Sequence, residues 1–257
     1  MKIIACYKLV PEEQDIKVIP NLPVDTSNVN KKIGQFDLCA VEAAVQIKAT
    51  QSDCNITALS IGADALAAPK ACKDILSRGP DALTLVCDPK LEQVLPHETA
   101  RVLAAAAKQE GYDLILCGDG SGDLYAQQVG LLLGELLQVP CINGVSKILE
   151  VADGVVRVER ELDDEVEELE LSLPAVLAVS ADINEPQIPS MKAILAAGKK
   201  PVNKLAYADL ALEEIPQLVE LVSITAPEQK ARKQIIIEGD DDGQVAEFVG
   251  HIGNVLN

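Results

Sequence analysis

Short apolar runs alternate with helix-forming segments across residues 3–137, and nothing else in the chain restricts its fold as much. Ile3–Val10, Ile56–Ile61, Ala82–Cys87 and Leu114–Cys117 have the length and apolar content of buried strands. Between them, Asp37 is placed to cap a helix carrying Leu38, Val41, Ala44, Val45 and Lys48. Ala63–Ser77 reads as a second helix, which Pro69 should bend or delay. Glu98–Glu110, closed by Gly111, is a third, and Leu124–Leu137, ending near Pro140, a fourth. Repeated alternation of this kind predicts a parallel sheet with helices on both faces, wound by right-handed crossovers. The composition agrees. With no Trp, two Phe and four Tyr, the core must be built from Ala, Val, Ile and Leu.

The pattern changes after residue 140. Val145–Leu149, Val155–Glu161 and Val166–Leu173 read as short strands around Asp153-Gly154 and the acidic turn Asp163-Asp164-Glu165, an antiparallel insertion at a sheet edge. Ala175–Ser180 returns to the buried-strand type, followed by a loop over residues 182–190 and a small helix at Met191–Ala197. Beyond Lys199 the stretch is punctuated by Pro201, Pro216 and Pro227, with one strand-like run at Gln234–Ile237 and a final helix over Gln244–Leu256. It holds too few apolar residues for a core of its own. The expected fold is α/β, a doubly wound, mostly parallel sheet of the Rossmann-like, adenine-nucleotide-binding type. It has an antiparallel edge insertion at about 145–173 and a C-terminal arm at 201–257, leaving residues 1–200 as the main domain.

A net charge of −18 disfavours nucleic acid, because phosphates are repelled. The seven cysteines, 6, 39, 54, 72, 87, 117 and 141, form no Cys-x-x-Cys pair and read as small buried hydrophobes in a reducing compartment, the cytoplasm. No run of 18 apolar residues predicts membrane insertion. Asp163-Asp164-Glu165 has no nearby His and is expected to be a solvated turn rather than a metal site. His97 and His251 pair with no nucleophile. No catalytic residue and no metal ligand is assigned.

Chemistry concentrates in one segment, Gly118-Asp119-Gly120-Ser121-Gly122-Asp123-Leu124-Tyr125-Ala126-Gln127-Gln128-Val129-Gly130. A strand enters alternating glycines that lead into a helix. Glycines permit close backbone approach, and unpaired N–H groups at a helix start suit a phosphate. Ser121 adds a hydroxyl donor, and Asp123 either caps the helix or accepts from a ribose hydroxyl. The turn follows the fourth strand and lacks Gly-Lys-Ser/Thr, so neither the usual dinucleotide fingerprint nor a Walker loop describes it. In such sheets ligands sit beyond the carboxyl ends of the strands. Cys6, Lys8, Ser60-Ile61-Gly62 and Gln35-Phe36-Asp37 are therefore expected to line the same crevice.

The stretch Val158–Ala178, with Arg160, Asp163-Asp164-Glu165, Leu169 and Pro174, resembles the signature of electron-transfer flavoprotein β subunits. Asp182-Ile183-Asn184-Glu185-Pro186, Ser190-Met191-Lys192-Ala193 and Lys199-Lys200-Pro201 extend the resemblance over nearly the whole chain. Gly118–Gly130 and Ile188–Leu195 are similar to the FixA branch, which includes a protein of anaerobic carnitine reduction.

The resemblance implies an electron carrier rather than an enzyme, a heterodimer with a FixB-like α subunit that holds the redox-active FAD. On this chain it implies AMP or a second FAD, at Cys6, Ile61, Gly118, Gly120, Ser121, Gly122, Asp123, Ala126, Gln127, Gln128 and Val129. Where the family has Asn-Pro before the first helix, Gly34-Gln35 stands here. A loop at about 182–192 would dock an acyl-CoA-dehydrogenase-like or quinone/ferredoxin-linked partner through Asn184, Ile188, Met191 and Lys192, unless Ile188 is tucked inward as in an ordinary turn. The arm from residue 201 would pack on the α subunit. A universal-stress-type ATP/AMP-binding regulatory protein and an adenylating enzyme are the alternatives.

Overall fold

The computed structural model describes residues 1–17, 19, 22–26, 28–213, 219–225 and 234–256. Pro20, Pro216 and Pro227 lie outside the described residues. Contacts divide the chain into two units, Met1–Ile16 with Thr26–Val219, and Lys17–Asp25 with Glu220–Asn257.

The first unit is the expected doubly wound α/β domain. Its strands are β1 (Lys2–Cys6), β2 (Leu9–Pro11), β3 (Lys31–Ile33), β4 (Asn55–Gly62), β5 (Ala82–Cys87), β6 (Leu114–Gly118), β7 (Cys141–Ala152), β8 (Val155–Glu161), β9 (Val166–Ser172), β10 (Ala175–Val179) and β11 (Val202–Leu205). Nine of them form one sheet in the order β11-β5-β4-β1-β6-β10-β7-β8-β9. The ladder is parallel from β11 to β7, and β8 and β9 complete it as the predicted antiparallel insertion.

Five helices belong to this unit: α1 (Gln35–Thr50), α2 (Pro69–Ser77), α3 (Pro96–Glu110), α4 (Val129–Leu137) and α5 (Met191–Ala197). The period of two along a strand explains why the runs are apolar on both faces. Ile3, Ala5, Leu114, Leu116, Ala175, Leu177 and Val179 share one core cluster with α1, α2 and α5. Their chain neighbours Ile4, Cys6, Ile115, Cys117, Val176 and Ala178 belong to the opposite cluster, with α3 and α4. Small residues let the helices approach closely: α1 buries Cys39, Ala40, Ala43 and Ala44.

Several boundaries differ from expectation, each for a local reason. The Ile3–Val10 strand is broken at Tyr7-Lys8. β1 ends at Cys6 in the main sheet, and Leu9–Pro11 pairs antiparallel with β3 in a separate ribbon. The helix expected at Asp37 starts two residues earlier, with Gly34 as its uncapped start, and the Asp37 carboxylate turns to other partners. Pro69 delays its helix rather than bending it, occupying the first turn after a short 3-10 segment at Asp64–Ala67. The sheet also runs past residue 200, because Val202–Leu205 pairs parallel with Leu83–Val86 as an edge strand. The expected division at 200/201 thus falls inside the first unit.

In the second unit, Pro23 bridges Thr225 antiparallel, and the Val24 N–H donates to Ile224 O at 3.0 Å. Its helix α6 (Asp242–Leu256) exposes Val245, Phe248 and Val249. Gln234–Ile237 adopts no strand, and Ile235 and Ile236 are exposed.

Candidate functional site

The strand order locates the crevice. β1 lies at the centre. α1 and α2 connect β1, β4 and β5 on one face, and α3 crosses back on the other face to β6. The chain therefore reverses its winding between β1 and β6, and the carboxyl ends of those two strands diverge there. Cys6-Tyr7-Lys8 and Gly118-Asp119-Gly120 occupy that point.

One buried carboxylate ties the two ends together. Asp37, 8% exposed in the first turn of α1, accepts from the Lys8 N–H at 2.8 Å and from the Gly118 N–H at 3.1 Å. Burial pushes its pKa up to about 7. The two N–H donors and the Lys8 ammonium pull it down, and Asp123 adds to the rise. Gly118 must be glycine, because a Cβ there would lie 2.6 Å from both Asp37 Oδ1 and Phe36 Cβ.

Beyond β6 the glycines do not run straight into a helix. α4 starts at Val129, five residues later than the expected Leu124. Ser and Asp side chains compete with helix formation here. The Leu124 N–H donates to Asp123 Oδ1 at 2.9 Å and to Ser121 Oγ at 3.4 Å, and the Tyr125 N–H donates to Ser121 O at 2.9 Å. Tyr125 and Gln127 then take positive φ angles, 46° and 53°, which end any helical turn. Gln127 Nε2 donates to Asp119 Oδ2 at 2.6 Å, and Lys8 Nζ pairs with Asp123 Oδ2 at 2.5 Å. Burial works against the Asp123 carboxylate, but the Lys8 and Ser121 hydrogen bonds outweigh it and hold its pKa below the usual range.

The resulting loop suits an anion. Among the described residues, the backbone N–H groups of Gly120, Ser121, Gly122 and Asp123 have no partner, a run of donors of the kind that cradles phosphate. Two further groups await partners: Asp119 Oδ1 and Ser180 Oγ are buried without one, just past the paired ends of β6 and β10. Cys6 ends β1 as expected, but it is buried, and desolvation raises its thiol pKa far above the ordinary range, so it lines the floor as a neutral group. Ile61 sits half-buried near the end of β4, packed with the α3 side of the core. Ala126 and Gln128 are exposed on the loop, and Val129 opens α4.

Sequence reasoning missed the aromatic closure of this loop. A Cβ on Gly120 would collide with the Tyr125 ring, and that ring lies 5.5 Å from Phe36 at 47°. The available signal was that three of the six Phe and Tyr residues, Tyr7, Phe36 and Tyr125, fall in crevice segments. Two surface clefts, of about 340 Å³ beside Met1, Asp113 and Pro174 and about 390 Å³ beside Arg101, Lys108 and Leu136, lie away from this point and contain no glycine-rich turn.

The loop after β10 is built differently. Asn184 Nδ2 donates to Cys39 O at 3.0 Å and the Gln187 N–H to Glu42 Oε2 at 3.4 Å, pinning the loop to α1. Ser190 caps α5, its Oγ accepting from the Ala193 N–H at 3.2 Å. Ile188 is not tucked inward but is 93% exposed; Met191 is 72% exposed, and Lys192 also faces solvent. Leu195, 71% exposed and one turn beyond Met191, joins them. Its i+4 spacing was the legible clue.

Among the described residues no group of His, Cys, Asp and Glu is arranged to hold a metal, and no helix is long and apolar enough to cross a membrane. The electron transfer flavoprotein domain family matches residues 21–210. The chain belongs to that family, whose members carry electrons.

Proposed function

We propose that this member of the electron transfer flavoprotein family is the β subunit of a heterodimer and holds an adenine nucleotide at the β1/β6 switch point. The observation that carries the reading is the run of N–H groups at Gly120–Asp123, unpartnered among the described residues, on the loop whose Asp123 pairs with Lys8. AMP, or the adenylate half of a second FAD, fits that donor set. The loop N–H groups and Lys8 would hold phosphate, Asp123 would accept from a ribose hydroxyl, and Asp119 Oδ1 and Ser180 Oγ would gain partners.

Bound FAD, chiefly on a FixB-like α subunit, supplies the redox chemistry. This chain positions and docks, which requires no acid–base residue of its own. The second unit supports an arm packed on that subunit, since α6 presents Val245, Phe248 and Val249 to solvent. The pinned loop with Ile188, Met191 and Leu195 exposed supports docking on an acyl-CoA-dehydrogenase-like or quinone/ferredoxin-linked redox partner. Resemblance to the FixA branch supports anaerobic carnitine (crotonobetaine) reduction as the pathway, and seven unpaired cysteines support a cytoplasmic setting.

The test is a ligand inventory. The chain is coexpressed with an α-type subunit, the complex purified, and FAD and AMP released by heat are counted. One FAD with one AMP supports a shuttle, and two FAD place a flavin here and support bifurcation. A complex without nucleotide on this chain refutes the site. Removing residues 220–257 should abolish copurification, and a surviving complex refutes the arm.

A further inference from the structure

We infer that the Tyr125 ring is a built-in occupant of the nucleotide crevice, and that a nucleotide enters by displacing it from Gly120 while its phosphate takes the Lys8 ammonium from Asp123. The inference rests on the nucleotide site proposed above and identifies the residue that sets its affinity.

Three observations carry it. First, the ring lies on Gly120, the glycine whose missing side chain would otherwise leave the bed open to a ligand. The bed is already filled by the protein, and by a planar aromatic group. Second, the ring is held by little. It is 53% exposed as a residue, and among the described residues its one ring partner is Phe36, at 5.5 Å. Such a pair is worth about 0.5–1.5 kcal/mol. Its backbone, with Gln127, is in the left-handed region that side chains avoid, so the closed loop carries strain. Third, Lys8, the positive charge at the carboxyl end of β1, is already engaged by Asp123 on the same loop. With side chains 43% and 27% exposed the ion pair is open to solvent on the Lys8 side, where a phosphate competes with Asp123 for the ammonium.

Closure and binding are therefore competing states of one loop, and the affinity measured is the intrinsic affinity reduced by the cost of opening. Removing the ring lowers that cost. This distinguishes a displaced ring from one that stacks on the ligand, whose loss would weaken binding.

The test uses the nucleotide-free full chain labelled with 3-fluorotyrosine, which gives four fluorine resonances for its four tyrosines. Tyr125→Phe assigns the Tyr125 signal by its absence. On titration with AMP, the Tyr125 signal should shift and narrow while those of Tyr112 and Tyr207 stay in place. By calorimetry, Tyr125→Ala should bind AMP about 2- to 12-fold more tightly, the ring contact converted at 1.4 kcal/mol per decade, and Tyr125→Phe should bind like the parent. Lys8→Met should weaken AMP but leave adenosine unchanged. AMP binding with a stationary Tyr125 signal, or weaker binding by Tyr125→Ala, overturns the inference and leaves the nucleotide site standing. Absence of AMP binding by both the parent and Tyr125→Ala overturns both.

Discussion

Replacing Asp37 with Asn should make two stability curves cross as pH rises. The carboxyl is buried, and its folded pKa of about 7 stands above the ordinary 3.8. A raised pKa means that folding favours the protonated form. The contribution of Asp37 to stability is therefore complete below about pH 4, falls as pH rises through 7, and levels off above it. Three decades at about 1.4 kcal/mol each put the loss at roughly 4 kcal/mol. Asn has nearly the same shape and cannot ionise, so it escapes that loss. It pays a different penalty: its amide offers one acceptor where two N–H groups, of Lys8 and Gly118, need one each. An unsatisfied buried donor costs about 1–3 kcal/mol at any pH. Asp37→Asn should thus be the less stable protein at pH 4 and the equal or more stable one at pH 8.5. Urea unfolding followed by far-ultraviolet circular dichroism at the two pH values measures this, and the titration of the other carboxylates cancels in the difference. A stability gap that stays constant with pH would refute the reasoning. It would mean that the two N–H donors outweigh burial and keep Asp37 ionised throughout.

Gly118→Ala should destabilise by about 1–3 kcal/mol, read as a lower urea midpoint, because its Cβ would meet Asp37 and the backbone of Phe36. Lys200→Met should destabilise by about 1–3 kcal/mol, read as a lower urea midpoint, since Lys200 Nζ donates to Leu76 O in the last turn of α2 at 2.8 Å and to Pro80 O in the loop after it at 2.6 Å. Placing Asp at both Ile188 and Met191 should change stability by less than about 0.5 kcal/mol, yet weaken docking of the electron acceptor by about 30-fold or more if these are anchors. Stopped-flow reoxidation of the flavin at varied acceptor concentration separates the two effects.

Where an element was buried on both faces, it was legible. Ile56–Ile61, Ala82–Cys87 and Leu114–Cys117 alternate between two cores and so are apolar on both faces, with Thr57, Ser60 and Thr84 as their polar members. β11 was not, because Val202-Asn203-Lys204-Leu205 is an edge strand whose partner, not its composition, makes it a strand. The glycine turn and its position at the strand ends were legible, but the delay of α4 was not. That delay depends on hydrogen bonds of Ser121 and Asp123 with the loop backbone, which competed with a sequence whose helical periodicity was genuine. Asp37 was legible as a residue of the crevice and misread as a cap. Its partners, Lys8 and Gly118, are 29 and 81 residues away, and only the strand order brings them together. The loop after β10 was legible in Asn184 and Ile188, whereas Leu195, marked in the sequence only by its i+4 spacing from Met191, joined them when α5 showed which face it leaves open.

The outermost strand of the insertion has a consequence for the chain's behaviour in bulk. β9 ends the nine-stranded sheet, so one of its two backbone edges has no neighbouring strand. Along it Glu168 and Glu170 face solvent, and Val166 is exposed among them. Negative charge of this kind discourages a second molecule from adding its own strand and extending the ladder. Salt screens that charge while leaving the edge intact. In concentrated salt the hazard is therefore growth of oligomers from a folded sheet, and the remedy is a lower ionic strength rather than a stabilising additive.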